Sequence, residues 1–215
     1  MFTGIVQKVV EVASIQHKGA SSAIALEMAE LAADVKAGDS VMADGVCLTA
    51  THVRGSVAEF DVSAETLRLT TLGSLQRGSR VNVELAMRPD DRFGGHFVSG
   101  HVDGVGTIER ITPLPGETRL RVRVPQELSD RMIMKGSVAM DGISLTVAAL
   151  ENGAFEVSLI PHTLDATTLS GKKPGARVNI ECDMIGKWVL RLLGKGGTAG
   201  TGGRLTMKKL REEGF

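Results

Sequence analysis

The amino-acid sequence contains the same short block twice. Residues 40–50 are SVMADGVCLTA and residues 137–147 are SVAMDGISLTV, and six of these eleven positions are identical at an offset of 97. A longer block follows at the same offset, where TLRLTTLGSLQRGSRVNVE (66–84) pairs without gaps with TLDATTLSGKKPGARVNIE (163–181) and ten positions agree. Such collinear similarity indicates that one module of about ninety residues is duplicated in tandem.

Each module has the pattern of short strands joined by turns, with one brief helix. Apolar residues flank the pair Asp44 and Gly45 and again the pair Asp141 and Gly142. An Asp-Gly pair between apolar arms is typical of a tight β-hairpin, because both turn positions require positive φ. The spacing of the strands predicts an all-β chain made of two small closed antiparallel barrels in tandem.

A shared glycine aligns the starts of the two modules. HVDGVGTIERI (101–111) lies over MFTGIVQKVVE (1–11) when Gly104 is placed over Gly4, which sets His101 over Met1 at an offset of 100. Other differences between the copies are Cys47 for Ser144, Leu85 for Cys182 and Ala86 for Asp183. A site that combined the two copies would therefore offer a thiol on one wall and an imidazole and a carboxylate on the other.

The residues after the second module belong to neither copy. We expect Asp183 to cap a C-terminal α-helix and Gly194 to end it. One face of this helix would carry Met184, Ile185, Trp188, Val189 and Leu192. We expect the glycine-rich residues 194–203 to form a flexible tether. For residues 205–215 the sequence allows two alternatives: a short helix that makes an oligomer contact through Met207 and Leu210, or a disordered end.

Composition excludes several classes of protein. Lys plus Arg and Asp plus Glu each number 25, so no excess positive charge is present to hold a nucleic-acid backbone, and aromatic residues amount to only 3%. We expect no nucleic-acid partner. The sequence has no apolar run long enough to span a bilayer and its start does not resemble a signal peptide, so we expect a cytoplasmic protein without membrane association. Cys47 and Cys182 have no spacing that indicates a disulfide or a zinc site.

Hydroxyl residues retained in both copies are candidates for ligand binding. The pairs are Ser40 with Ser137, Thr49 with Thr146, and Thr66 with Thr163. Hydroxyl groups donate and accept hydrogen bonds, so they suit a polyhydroxylated ligand. The alternative is that these residues occupy the solvent-facing sides of strands.

Two single residues are candidates for chemistry, each with a structural alternative, and one group of residues is a weak candidate for metal binding. His101 has the pKa range for proton transfer, although a lone histidine is also common in structural roles. Cys47 is a candidate nucleophile or a small apolar filler. His96, His101 and Asp103 lack a fourth ligand and a rigid setting, so they indicate a metal site only weakly.

Five stretches together resemble the riboflavin synthase family, α-chain type: MFTGIV, DGVCLT, GGHFVSGHVDG, DGISLT and LIPHTL. The resemblance implies two six-stranded Greek-key barrels and a C-terminal helix, with boundaries at 1–97, 98–183 and 184–215. It also implies a homotrimer, in which the N-terminal barrel of one subunit faces the C-terminal barrel of its neighbour. The implied reaction is a dismutation of two 6,7-dimethyl-8-ribityllumazine molecules into riboflavin and 5-amino-6-ribitylaminouracil, with no metal or organic cofactor.

The resemblance also implies site residues, grouped by barrel. In the first barrel the implied ligand contacts are Gly4, Ile5, Val6, Cys47, Leu48, Thr49, Asp61, Val62, Ser63, Ala64, Glu65 and Thr66. In the second they are Gly100, His101, Val102, Lys135, Ser144, Leu145, Thr146, Ser158, Leu159, Ile160, Pro161, His162 and Thr163. The residues implied in turnover are Phe2, Ser40, Cys47, His101, Thr146 and Asp183.

Within this set we expect His101 to shuttle protons and Ser40 or Cys47 to assist nucleophilic addition. The competing hypothesis is a non-catalytic lumazine or flavin carrier of the same fold. Because a carrier needs one good pocket, the retention of hairpin and hydroxyl residues in both copies favours the enzyme.

Overall fold

The computed structural model describes residues 1–196, which form two sets of six strands and a C-terminal helix. The strands are β1 (Lys8–Lys18), β2 (Ser21–Glu27), β3 (Ser40–Ala43), β4 (Val46–Arg54), β5 (Val57–Val62), β6 (Arg80–Leu85), β7 (Gly104–Leu114), β8 (Glu117–Arg123), β9 (Ser137–Met140), β10 (Ile143–Glu151), β11 (Ala154–Leu159) and β12 (Arg177–Cys182). The helices are α1 (Ala64–Leu69), α2 (Gln126–Ser129), α3 (Pro161–Ala166) and α4 (Met184–Gly196), with 3-10 turns at Ala29–Asp34, Thr71–Ser74 and Thr168–Gly171.

The strands close into two barrels of the same topology. The order around the first is β1-β2-β5-β4-β3-β6, the second repeats it with β7 to β12, and all pairs are antiparallel. In each barrel the second strand lies beside the fifth rather than the third, which is the Greek-key arrangement. The prediction of two tandem six-stranded Greek-key barrels is confirmed. The hairpin turn is also confirmed, with φ of 44° at Asp44 and 82° at Gly45.

Each barrel has its own apolar core, because successive side chains of a strand alternate between the two faces. Phe60 and Ile24 are fully buried in the first core, and Phe155 and Leu120 in the second. Burial of one such side chain stabilises the fold by roughly 1.5–3 kcal/mol.

A reciprocal set of hydrogen bonds joins the barrels. The backbone N–H of Asn82 donates to Asp44 Oδ1 (2.8 Å) and its side-chain amide donates to the carbonyl oxygen of Asp141 (3.0 Å). Asn179 makes the same two bonds with the aspartates exchanged, both at 2.7 Å. All four residues are buried. The pattern shows that the barrels are related by a pseudo-twofold axis that passes between the two hairpin turns.

The hairpin turns hold a buried charge cluster with one cation. Lys172 Nζ lies 2.9 Å from Asp141 Oδ2. Burial, together with the charge of Asp141, raises the pKa of Asp44 well above its ordinary value. Burial also raises the pKa of Asp141, against the opposing effect of Lys172. The first module has Leu75 at the position of Lys172, so the two buried carboxyl groups share a single ammonium group, which pairs directly with Asp141.

Helix α4 begins where it was predicted to begin but extends beyond its predicted end. The backbone N–H of Ile185 donates to Asp183 Oδ1 (3.0 Å), which confirms Asp183 as the cap. The helix runs through Gly194 to Gly196, so the prediction that Gly194 ends it is wrong. A glycine inside a helix costs only about 1 kcal/mol, which does not terminate it. Among the helix residues up to 192, the exposed large apolar side chains are Ile185, Trp188, Val189, Leu190 and Leu192.

The tether beyond residue 196 and the helix with Met207 and Leu210 lie outside the described residues. Among residues 1–196, no helix combines the length and the apolar character that crossing a membrane requires.

The predicted alignment of the module starts is wrong. The buried carboxylate of Glu84 accepts hydrogen bonds from the backbone N–H groups of Thr3 (2.6 Å) and Gly4 (2.9 Å). Glu181 binds Ser99 (2.7 Å) and Gly100 (2.9 Å) in the same way. Gly4 therefore matches Gly100 at an offset of 96.

The corrected alignment changes which residue of the first module matches His101. At the offset of 96, His101 matches Ile5 rather than Met1, and both residues are exposed. The alignment on Gly104 failed because Gly104 opens β7, whereas Gly4 lies in the segment that precedes β1. Glycine identity alone could not distinguish these positions.

Candidate functional site

The segment before each barrel crosses to the other barrel. The carbonyl oxygen of Gly4 accepts a hydrogen bond from the backbone N–H of Ser144 in β10 (2.7 Å). The carbonyl oxygen of Gly100 accepts one from Cys47 in β4 (2.8 Å). We call residues 2–6 and 98–102 the exchanged segments. They pair with one another where the N–H and C=O groups of Phe2 exchange two bonds with Val98 (2.9 and 3.1 Å).

Side-chain packing follows the same exchange. Val6 packs against the core of the second barrel and Val102 packs against the core of the first. The grouping of Gly4, Ile5 and Val6 with the first barrel is therefore wrong, and so is the grouping of Gly100, His101 and Val102 with the second. A strand pattern predicts where a strand lies in its own barrel but gives no information on the short segment before it.

Close contact explains the glycine at the centre of each exchanged segment. Gly4 has φ of +77° and a Cβ placed there would lie 2.7 Å from Ser144 Cβ. Gly100 has φ of +80° and its Cβ would lie 2.5 Å from Cys47 Cβ. Any side chain would force the exchanged segment away from the strand that it contacts.

The outer face of β4 and the end of β5 form a surface beside the second exchanged segment. We call this candidate ligand site the first-barrel pocket. Its members among the predicted binding residues are Cys47, Leu48, Thr49, Asp61, Val62, Ser63, Ala64, Glu65, Thr66, Gly100, His101 and Val102. Thr49 and Asp61 are exposed, whereas Leu48 points into the core. Ser63 caps α1, since its Oγ accepts from the backbone N–H of Thr66 (3.1 Å). The pocket thus presents several hydroxyl groups on an accessible surface.

The corresponding face of β10 and β11 lies beside the first exchanged segment. We call this second candidate ligand site the second-barrel pocket. Its members are Gly4, Ile5, Val6, Lys135, Ser144, Leu145, Thr146, Ser158, Leu159, Ile160, Pro161, His162 and Thr163. Thr146 is exposed and Ser144 is half-buried. Helix α3 starts with Pro161 after Ile160, without the side-chain cap that Ser63 gives α1. The two pockets share their architecture and differ in their chemical groups.

Lys135 occupies a strained backbone position. Its φ is +67°, and the matching residue of the first copy is Gly38 with φ of +95°. A left-handed conformation costs a residue with a Cβ about 1–2 kcal/mol. A lysine that keeps this conformation where glycine would be free of strain is a candidate for a functional contact.

The residues predicted for turnover do not all meet within one chain. Phe2 is fully buried between the barrels in a cluster that Cys47 contacts. Ser40 lines a hollow of about 220 Å³ beside Ala86. Asp183 lines a matching hollow of about 250 Å³ under α4. The exposed residues Thr146 and His101 lie in the second- and first-barrel pockets respectively.

The sequence analysis missed the buried polar residues that hold this arrangement. Glu84 also accepts a bond from the Thr3 hydroxyl (2.7 Å), and burial raises its pKa against the effect of these hydrogen bonds. Glu84, Glu181, Asn82 and Asn179 are identical pairs in the repeated RVNVE and RVNIE segments. Polar residues that recur between the core-facing apolar residues of a repeated strand were the available signal.

The weakly indicated metal site is not assembled. Asp103 accepts a bond from the backbone N–H of Cys182 (2.8 Å) and pairs with Lys187 (2.6 Å), so it serves the junction of β12 and α4. Within residues 1–196 no three His, Cys, Asp or Glu side chains converge as metal ligands. Burial raises the pKa of Cys182 to about 11, so this thiol is protonated at neutral pH.

Comparison with known proteins agrees with the paired pockets. The lumazine binding domain matches the chain twice, at residues 3–86 and 99–183, so fold and site define a tandem lumazine-binding protein. The riboflavin synthases of Bacillus subtilis (strain 168) and Actinobacillus pleuropneumoniae are 40% and 41% identical over 215 residues, which is 100% of this chain and of each relative. The chain belongs to the riboflavin synthase family.

A solved structure supports the fold independently. The crystal structure of LumP complexed with riboflavin aligns with a TM-score of 0.78 at 23% identity and covers 85% of this chain and 99% of that chain.

Proposed function

We propose that the chain is an enzyme that converts two molecules of 6,7-dimethyl-8-ribityllumazine into riboflavin and 5-amino-6-ribitylaminouracil. A four-carbon unit passes from one lumazine to the other, and the two products together contain all the atoms of the two substrates. The observation that carries the proposal is that the chain presents two surfaces of the same architecture, one with Cys47 and the other with Ser144 at the matching position. A reaction between two like molecules needs two sites that treat them differently.

The proposed roles of the residues follow from their chemistry. His101 follows Gly100, which contacts Cys47, so an imidazole and a thiol belong to the same pocket. His101 would move the proton that leaves the methyl group at ring position 7, and Ser40 or Cys47 would assist addition to the other ring, directly or through water. Holding two flat rings face to face would provide much of the acceleration. No metal or organic cofactor enters this scheme.

We propose a homotrimer as the working assembly, with domains at 1–97, 98–183 and 184–215. The pockets are open surfaces, and the apolar residues of α4 are exposed, with Trp188 at 59% and Leu192 at 67%. Contact between copies would cover α4 and bring an N-terminal barrel of one subunit to face a C-terminal barrel of another. Both cysteines are free thiols, as is usual in a reducing compartment, which supports the cytoplasm as the location.

The test is incubation of the purified full chain with 6,7-dimethyl-8-ribityllumazine alone. The proposal predicts that riboflavin and the aminouracil form in equal amounts, one of each for every two lumazines consumed. The second candidate function is a lumazine or flavin carrier, since LumP has the same fold and its structure contains riboflavin. Tight binding of the lumazine without any product would decide for the carrier and against the enzyme.

A further inference from the structure

The buried side chain of His96 contacts Ser144, a residue of the second-barrel pocket. The Nδ1 atom of His96 lies 2.7 Å from the Oγ atom of Ser144. His96 is 8% exposed, and Ser144 is half-buried at the edge of the pocket. Because Ser144 has only one hydroxyl proton, the state of His96 decides whether that proton points towards the imidazole or into the pocket.

The chain around His96 is built for this contact. The backbone N–H of His96 donates to the carbonyl oxygen of Thr3 (3.1 Å). A Cβ at the preceding residue, Gly95, would lie 2.1 Å from that oxygen and 2.9 Å from Ser144 Cβ. Glycine is therefore required for the chain to pass close enough to place the imidazole against Ser144.

The first barrel has no matching pair. Cys47 occupies the position of Ser144, and the described residues place no imidazole within hydrogen-bonding distance of its sulfur. The duplication thus gave both pockets a small polar group at the same site, but within the described residues only the second group is hydrogen-bonded to a buried imidazole.

The protonation state of His96 follows from its surroundings. Burial lowers the pKa of His96, and the nearby carboxylates of Asp183 and Glu181 oppose this only in part. The ring is therefore neutral at pH 7 and carries one proton. The Nε2 atom is buried without a hydrogen-bond partner in the described part of the chain. A buried N–H group without a partner is rarer than a buried acceptor without one, which favours placing the proton on Nδ1.

We infer that His96 is a positioning residue that donates from Nδ1 to Ser144 and thereby turns the Ser144 hydroxyl proton towards the ligand. The second-barrel pocket then offers a hydrogen-bond donor to an oxygen or nitrogen acceptor on the edge of a bound heteroaromatic ring. This inference deepens the proposed function and rests on it, because the ligand class is the lumazine or flavin of that proposal.

The experiment uses riboflavin binding to the full chain, which requires no turnover. The parent protein should show two classes of site. His96→Ala and Ser144→Ala should each weaken one and the same class about tenfold, which is the usual size of a lost neutral hydrogen bond. The double variant should be no weaker than either single variant. Strictly multiplicative effects of the two substitutions, or an effect of His96→Ala on neither class, would overturn the inference.

A matched pair of variants separates positioning from packing. His96→Asn places an amide N–H near the former Nδ1 and should bind riboflavin within about threefold of the parent, whereas His96→Asp offers only an acceptor and should behave like Ser144→Ala. If Asn and Asp at position 96 have equal effects, the donor assignment is wrong. Cys47→Ala provides the control, because it should weaken only the other class.

Nitrogen-15 NMR of the histidine side chains tests the tautomer in the parent protein, even where a variant fails to fold. The expected signal has Nδ1 protonated and Nε2 unprotonated at neutral pH, and the reverse pattern contradicts the inference. A parent that binds riboflavin in two classes but makes none would defeat the enzyme proposal while leaving this result intact.

Discussion

The backbone N–H of Ser144 donates to the carbonyl oxygen of Gly4 across 2.7 Å, so the first residues of the chain complete a surface on the second barrel. Cys47 and Gly100 make the reciprocal contact at 2.8 Å. Each pocket therefore combines strands of one barrel with a segment that leads into the other. Neither barrel alone presents both parts of its candidate site, so the proposed function depends on the tandem arrangement.

Gly4→Ala should destabilise the fold much more than a glycine substitution in open space. The new Cβ would meet Ser144 Cβ at 2.7 Å and φ is +77°, so we expect a loss of about 3 kcal/mol from strain and overpacking together. The matched control is Gly19→Ala, where φ is +64° but nothing lies within 4 Å, with an expected loss of about 1 kcal/mol. Urea unfolding measures both, and equal losses would mean that the contact with Ser144 contributes nothing.

Glu84→Gln should weaken the pocket of the opposite barrel. Glu84 belongs to β6 of the first barrel but holds the N–H groups of Thr3 and Gly4, whose segment lies against Ser144. Glutamine offers one acceptor fewer, and we expect a loss of about 1–3 kcal/mol in unfolding free energy. Riboflavin titration should show weaker binding in the class that contains Ser144. Glu181→Gln should weaken the Cys47 class instead, and identical patterns for the two variants would contradict the exchange.

Lys172→Leu should lower the free energy of unfolding, because it removes the cation beside two buried aspartates. Removal of the ammonium 2.9 Å from Asp141 leaves a buried negative charge, with an expected loss of about 3 kcal/mol at pH 7. Burial already holds the pKa of Asp44 and Asp141 above their unfolded values, so protonation favours the folded state. The stability contributed by protonation of the two carboxyl groups is present at low pH. It is lost as the pH rises through their folded pKa values.

The difference between parent and Lys172→Leu should accordingly shrink as the pH falls through that range, because the variant has no unpaired charge once the carboxyl groups are protonated. Addition of Asp141→Asn to the variant should restore most of the lost stability at pH 7. A loss that is independent of pH and unaffected by Asp141→Asn would exclude the charge explanation.

His101→Gln should impair turnover more than Cys47→Ser. His101 is exposed, so its replacement should leave the unfolding free energy unchanged, while the loss of a proton-transferring group is expected to lower kcat by about a hundredfold. A serine hydroxyl can make the polar contacts that a thiol would make with a ligand, so Cys47→Ser should retain part of the activity. Steady-state rates of riboflavin formation provide the measurement, and equal turnover by His101→Gln and the parent would remove His101 from the mechanism.

Trp188→Glu should prevent assembly. Trp188 is 59% exposed on α4, and a carboxylate in an apolar contact between copies carries a large desolvation cost. Sedimentation velocity should show trimers for the parent and monomers for the variant. Leu114→Glu, which changes an exposed apolar residue in the β7–β8 hairpin, should remain trimeric. A trimer for both variants would place the contact elsewhere.

Local chemistry determined which features the sequence could predict. The hairpin at Asp44 and Gly45 and the cap at Asp183 depend on neighbouring residues alone, and both are present. The repeat predicted two like barrels, and the family resemblance added the Greek-key order. Gly194 shows the limit of a local rule, since the helix continues through it.

The exchange of segments could not be predicted in the same way. Residues 2–6 are too few to show a periodicity, and their path depends on Glu84 and on the pairing of Phe2 with Val98, which are contacts distant in sequence. The role of His96 was equally inaccessible, because the sequence gives no sign that it lies against Ser144.

A crystal structure of the full chain with an unreactive lumazine analogue tests the account most directly. We predict two analogues per chain, one that contacts both Gly4 and Ser144 and one that contacts both Gly100 and Cys47. A single analogue per chain, or an analogue that contacts Gly4 together with Cys47, would contradict the paired and exchanged pockets on which the proposed reaction depends.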